Sequence, residues 1–181
     1  MIAIADTCFL ITWSKYSKAN ILHSLFDIVY VPEPVLVETK SPETRSFVSR
    51  ILLRNGRLYT PTPETYREAE ELIISVDRLG IGVHIEMPEA LCLVFAKKRL
   101  AVVLSENLGA YAVPHLIDNF SEVKVWRSIE VIYEAARREV LKVYDEKSFI
   151  EEIKIFERET GHLIRRKEVV KYAEKLFPRR T

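Results

Sequence analysis

Glutamine is absent from the 181 residues, and cysteine, methionine and glycine are sparse, with two, two and five copies. The two cysteines, Cys8 and Cys92, share no paired spacing and both lie in apolar stretches. That suits buried thiols in a reducing compartment and excludes a disulfide framework or a zinc ribbon. The four histidines, His23, His84, His115 and His162, are equally scattered and form no zinc-binding pattern. The glycines never gather into a phosphate-cradling loop, so the usual nucleotide-binding signatures are missing. No apolar run approaches the roughly 20 residues of a membrane-spanning helix, and Asp6 comes too early for a signal peptide; a cytoplasmic protein is expected. The missing glutamine, beside plentiful Glu, Lys and Arg, is the bias of heat-adapted proteins.

What is present is enough apolar material, 48% of the chain, for one sizeable core and an appendage. The net charge of +1 hides an asymmetry. From His162 to Thr181 there are seven Lys or Arg against two Glu, a local charge of +5, which leaves the rest at −4. A basic tail on a mildly acidic body can meet a polyanion, and it can equally be a solvated helix face.

The first stretch, Ile2-Ala3-Ile4-Ala5, is apolar without alternation, as in a strand covered on both faces. Asp6 follows it, either capping the next helix or standing in the crevice beyond the strand's carboxyl end, where open α/β sheets bind ligands. Downstream, Ser17 to Phe26 reads as a helix, Asp27 to Val31 as a strand, and Pro34 as the first position of a helix carrying Glu38. Ser41 and Thr62 cap two longer helices, the first ending at Arg54 before Gly56, with the strand Arg57 to Thr60 between them. A helix from Pro88 to Arg99 is apolar nearly all round and therefore buried. Leu100 to Leu104 is a second apolar strand, Val123 to Trp126 another, and Ser128 caps the helix that follows. Strands alternating with helices imply a three-layer α/β/α domain on a mostly parallel sheet of four or five strands over residues 1–143. Residues 144–181 form a C-terminal helical hairpin, with Phe149, Ile153 and Phe156 on one helix and Val169, Ala173 and Leu176 on the other.

Asp6 and Glu106 both follow buried strands, while Glu38 and Glu89 sit in nearby helices. If the two strands are neighbours these carboxylates converge. Two such charges about 4 Å apart repel by about 4 kcal/mol at an effective dielectric of about 20, so the cluster needs protons or a cation. All-oxygen ligation selects a hard ion, Mg2+ or Mn2+, and the matching chemistry is metal-assisted phosphodiester hydrolysis.

Four blocks, Asp6-Thr7, Val35-Leu36-Val37-Glu38, Pro88-Glu89-Ala90-Leu91 and Ser105-Glu106-Asn107, resemble in order and spacing those of the PIN-domain family of Mg2+- or Mn2+-dependent ribonucleases, over about residues 1–140. The resemblance implies a PIN-like fold and an endoribonuclease that uses metal-activated water and leaves a 5′ phosphate. It implies catalytic and metal-binding roles for Asp6, Glu38, Glu89 and Glu106, with Asn107 also at the metal and Thr7 and Ser105 orienting the acids. Glu86 rivals Glu89, which is preferred because a helix's first turn stabilises a charged carboxylate. The family's third acid is often Asp, and its fourth block often supplies aspartates where this chain has Glu106 and Asn107. A looser second metal site and low activity follow from that departure. Arg45, Arg50, Arg165 and Arg166 are candidate contacts to single-stranded RNA, with Arg179 and Arg180 beyond them; for each the alternative is plain solvation.

Two other functions stay open. One is a catalytically weak or inactive RNA-binding or scaffold module. The other is a phosphotransfer enzyme of the haloacid-dehalogenase type, although the second acid expected two residues after Asp6 is Cys8. A homodimer, or a protein partner such as an antitoxin, is compatible with the hairpin.

Overall fold

β1 (Ile2–Ala5) takes the centre of a sheet, as its unbroken apolar run requires. In the computed structural model, which describes residues 1–178, α1 (Thr7–Ser14), α2 (Ile21–Leu25), β2 (Ile28–Pro32), α3 (Glu33–Glu38), α4 (Pro42–Arg54), β3 (Gly56–Tyr59), α5 (Pro63–Asp77) and α6 (Met87–Arg99) follow. Next come β4 (Val102–Leu104), α7 (Leu108–Leu116), a 3-10 turn (Asp118–Phe120), β5 (Lys124–Trp126), α8 (Ser128–Arg137), α9 (Glu146–Thr160) and α10 (Arg166–Leu176). Among the described residues the five strands form one sheet in the order β3-β2-β1-β4-β5, and every pairing is parallel. Crossovers between parallel neighbours need long connections, and the helices supply them.

Successive strand residues face opposite layers, and the core divides accordingly. Ala3, Ala5, Val29, Val31, Val102 and Leu104 pack with α1, α2, α4, α8 and the hairpin α9–α10. Ile4, Val103 and Val125 face α5, α6 and α7. Every residue of α6 from Pro88 to Ala96 is buried, as a helix that is apolar all round must be. The hairpin docks on the sheet unit through Phe149, Ile153, Phe156, Val169 and Ala173, with the Phe156 ring tilted against Trp13 and edge-on to Tyr16.

Several local expectations are corrected. α1 and α7 are helices that no periodicity announced. The helix foreseen from Ser17 shrinks to Ile21–Leu25. Pro34 is the second residue of α3, not the first. The strand before Ser105 begins at Val102, because Leu100 turns left-handed (φ 52°) to end α6. Ser128 is the first helical residue of α8 and its cap is Arg127. Ser41 and Thr62 cap as expected, accepting the N–H of Thr44 and Thr65. Arg179, Arg180 and Thr181 lie outside the described residues. Among the described residues no helix is long and apolar enough to cross a membrane.

Candidate functional site

The strand order reverses between β1 and β4, whose successive connections leave in opposite directions along the sheet. Such a switch point opens a crevice at the carboxyl ends of the strands, and there Asp6 follows β1 while Ser105-Glu106-Asn107 follows β4. The Asp6 N–H still donates to the Leu104 carbonyl at 3.0 Å, so the two strand ends stay in register up to the site.

Asp6 has both positions open to it in the sequence: it caps α1, with Oδ1 accepting the Phe9 N–H at 2.9 Å, and it stands fully buried in the crevice. Cys8 donates its S–H to both Asp6 oxygens at 3.1 Å. Burial pushes the Asp6 carboxyl up to about 7; hydrogen bonds from Ser105, Phe9 and Cys8 counter it, and the Glu89 charge adds to it. Burial and the Asp6 charge likewise raise the Cys8 thiol well above its ordinary value, which keeps it a donor.

Glu89, nearly fully buried in the first turn of α6, accepts the Glu86 N–H at 3.1 Å and the Asn107 side-chain amide at 3.2 Å. One ligand atom each from Asp6, Cys8 and Glu89 lie within 4.8 Å of one another, close enough for one metal ion to be held between them. Glu86 is the exposed N-cap residue of α6. Glu38, exposed at the end of α3, reaches the site's edge by accepting the Thr7 hydroxyl at 2.5 Å. Asn107 caps α7, its Oδ1 accepting the N–H groups of Gly109 (2.7 Å) and Ala110 (3.1 Å). Ser105, fully buried, accepts the Asn107 N–H at 3.0 Å.

Glu106 is turned elsewhere. Its Oε1 accepts the Ser128 N–H at 2.9 Å and the Ser128 hydroxyl, and its Oε2 meets His162 Nε2 of the hairpin at 3.0 Å. The Glu106 contact raises His162 above its ordinary value. Of the candidate RNA contacts, Arg45 donates to the Thr39 carbonyl at 2.8 Å and Arg50 to the Ser46 hydroxyl at 3.3 Å. Arg165 and Arg166 are exposed at the start of α10, and Arg165 lines a cavity shared with Glu106 and His162.

Sequence reasoning passed over Cys8 as a site group, along with Ser128 and His162. Cys8 carried a signal, its place two residues after the buried acid; Ser128 and His162 carried none, because their partner is far away in the chain.

No protein-family model and no curated protein matches this sequence. Among solved structures, a chain in the crystal structure of VapBC2 from Rickettsia felis bound to a DNA fragment from their promoter aligns at 15% identity with a TM-score of 0.49, over 70% of this chain and 98% of that one.

Proposed function

We propose that the protein is a divalent-metal-dependent endoribonuclease of PIN type. The observation that carries this reading is the pairing of Asp6 and Glu89 at the switch point of a parallel sheet, where one carboxyl is fully buried and its acidity weakened. Of the three clustered groups, the Asp6 and Glu89 carboxylates are hard oxygen donors that fit a divalent ion, whose positive charge would relieve their burial, while the Cys8 thiol stays protonated and donates to Asp6. Asp6 and Glu89 would hold Mg2+ or Mn2+, with Glu38 and Asn107 beside them, while Glu106, held by Ser128 and His162, stands apart. An ion held there would supply hydroxide at neutral pH and offset charge on the phosphate oxygens.

The chain's own residues do the rest. The Phe9 N–H and the Cys8 thiol fix the Asp6 carboxylate, and the Glu86 N–H with the Asn107 amide fixes that of Glu89. Thr7 orients Glu38 toward the same edge. Arg45, Arg50, Arg165 and Arg166 offer cations for the phosphates of single-stranded RNA.

A second reading, a catalytically weak RNA-binding module, draws on one observation: Glu106 is engaged by Ser128 and His162, and Asn107 brings an amide where a carboxylate would add charge. Cleavage of a labelled single-stranded RNA pool with Mn2+, Mg2+ or EDTA separates the two. The nuclease reading expects metal-dependent cleavage that falls at least about 100-fold in a folded Asp6→Asn protein. Absence of cleavage and of Mn2+ binding in the wild type would leave the binding module.

A further inference from the structure

Glu106 leaves β4 one residue after Ser105, close enough along the chain to join a cluster at the strand ends, yet it lies outside the set formed by Asp6, Cys8 and Glu89. The reason is on the other side. Both of its oxygens are taken by protein donors, Oε1 by the Ser128 N–H and hydroxyl and Oε2 by His162 Nε2 at 3.0 Å. The carboxylate is left 7% exposed.

The holders are themselves held. Ser128 accepts the Trp13 indole N–H at 2.8 Å. His162 lies in the bend between α9 and α10, set by the left-handed Gly161 (φ 72°), by its own N–H donating to Thr160 Oγ1 at 3.1 Å, and by the Ile164 N–H donating to Glu157 at 2.8 Å. Arg127 ties the start of α8 to Glu168 of α10 at 2.7 Å. A cavity of about 190 Å3 opens between Glu106, Leu108 and Ile129 on one side and residues 162–165 on the other, so the contact borders free space in which side chains can rearrange.

We propose that the C-terminal hairpin is an autoinhibitory strap: His162, together with Ser128, holds Glu106 away from the Asp6–Glu89 cluster, and displacement of His162 frees Oε2 of Glu106 to join the ligands. His162 is thereby a positioning residue acting through Glu106. The inference rests on the metal-dependent reading and deepens it, because it makes ion occupancy depend on a segment outside the four acidic blocks.

The test is Mn2+ titration calorimetry on the full chain, with thermal unfolding to verify the fold. Wild type and Glu106→Gln bind Mn2+ alike, since a strapped Glu106 is not a ligand. His162→Ala binds a further ion, or binds about tenfold more tightly, within the range of ordinary coupling energies. His162→Gln, which keeps a donor for Glu106, returns to wild-type behaviour, and the gain of His162→Ala disappears in the Glu106→Gln double variant. A drop in affinity in Glu106→Gln alone overturns the strap, even if His162→Ala fails to fold. So does wild-type binding in a folded His162→Ala. If neither wild type nor His162→Ala binds Mn2+, the metal reading and the strap fall together; binding alike in both sinks the strap alone.

Discussion

Asp6, fully buried at the end of β1, meets three demands. Its carboxyl is an N-cap acceptor, a hydrogen-bond acceptor for Cys8 and a buried acid at once, and burial lifts it from 3.8 to about 7. A group that binds its proton more tightly when folded adds stability below its unfolded value and loses it as pH rises through the folded one. The metal-free protein therefore weakens from about pH 4 to about pH 7, and Asp6→Asn, which keeps the capping oxygen without the charge, is the more stable protein at about pH 8 by about 1 to 4 kcal/mol. Denaturant melts at about pH 8 and about pH 4 check this: the advantage shrinks to nothing at the lower value. Added Mn2+ raises the midpoint of wild type and leaves Asp6→Asn unmoved. The sequence left this residue two alternative roles, helix cap or site group, and the structure shows the cap together with full burial at the strand end. Cys8 was not legible in the sequence: its meaning lies in two 3.1 Å contacts that its residue type does not announce.

At the scale of elements, the candidate site depends on three helix starts, those of α1, α6 and α7, meeting the β1 and β4 ends. Pro88, Glu89 and its apolar length mark α6 in the sequence. The periods of α1 (Thr-Cys-Phe-Leu-Ile-Thr-Trp-Ser) and α7 (Leu-Gly-Ala-Tyr-Ala-Val-Pro-His-Leu) are not marked, for identifiable reasons. α1 has no polar stripe to mark a period, and α7 carries Gly109 and Pro114, both unfavourable in a helix. Tertiary contact overrides propensity in α7: Asn107 caps it, and Gly109 lets its first turn lie directly against the backbone at His84, whose carbonyl a Cβ would strike. Gly109→Ala is expected to cost about 1 to 3 kcal/mol, read as a lower urea midpoint, by forcing α7 from the segment before α6. The same shift moves Asn107 off Glu89, so a loss of Mn2+ affinity accompanies it.

For the whole molecule, the hairpin is integral to one of the two cores. Phe156 is fully buried, with ring centroids 5.8 Å from Trp13 and 5.1 Å from Tyr16. Tyr16 and Lys18 also reach Glu152 of α9 at 2.5 Å each. Phe156→Ala is expected to cost about 3 to 5 kcal/mol and to lower a single unfolding transition seen alike by far- and near-ultraviolet circular dichroism. A separate early transition, with the sheet unit melting unchanged, would instead make residues 144–181 an independent appendage. Apolar runs, capping residues and the alternation of strand with helix are local properties, so the sequence by itself determined the layered α/β class, the buried α6, the helical hairpin and the acids placed after β1 and β4. Which strands are neighbours, and which groups close on each acid, depends on packing between residues far apart in the chain. Only the tertiary structure therefore decided that β1 lies beside β4, that Cys8 joins Asp6 and Glu89, and that His162 and Ser128 take Glu106. Those contacts are set by how whole layers fit together, and no local pattern encodes them.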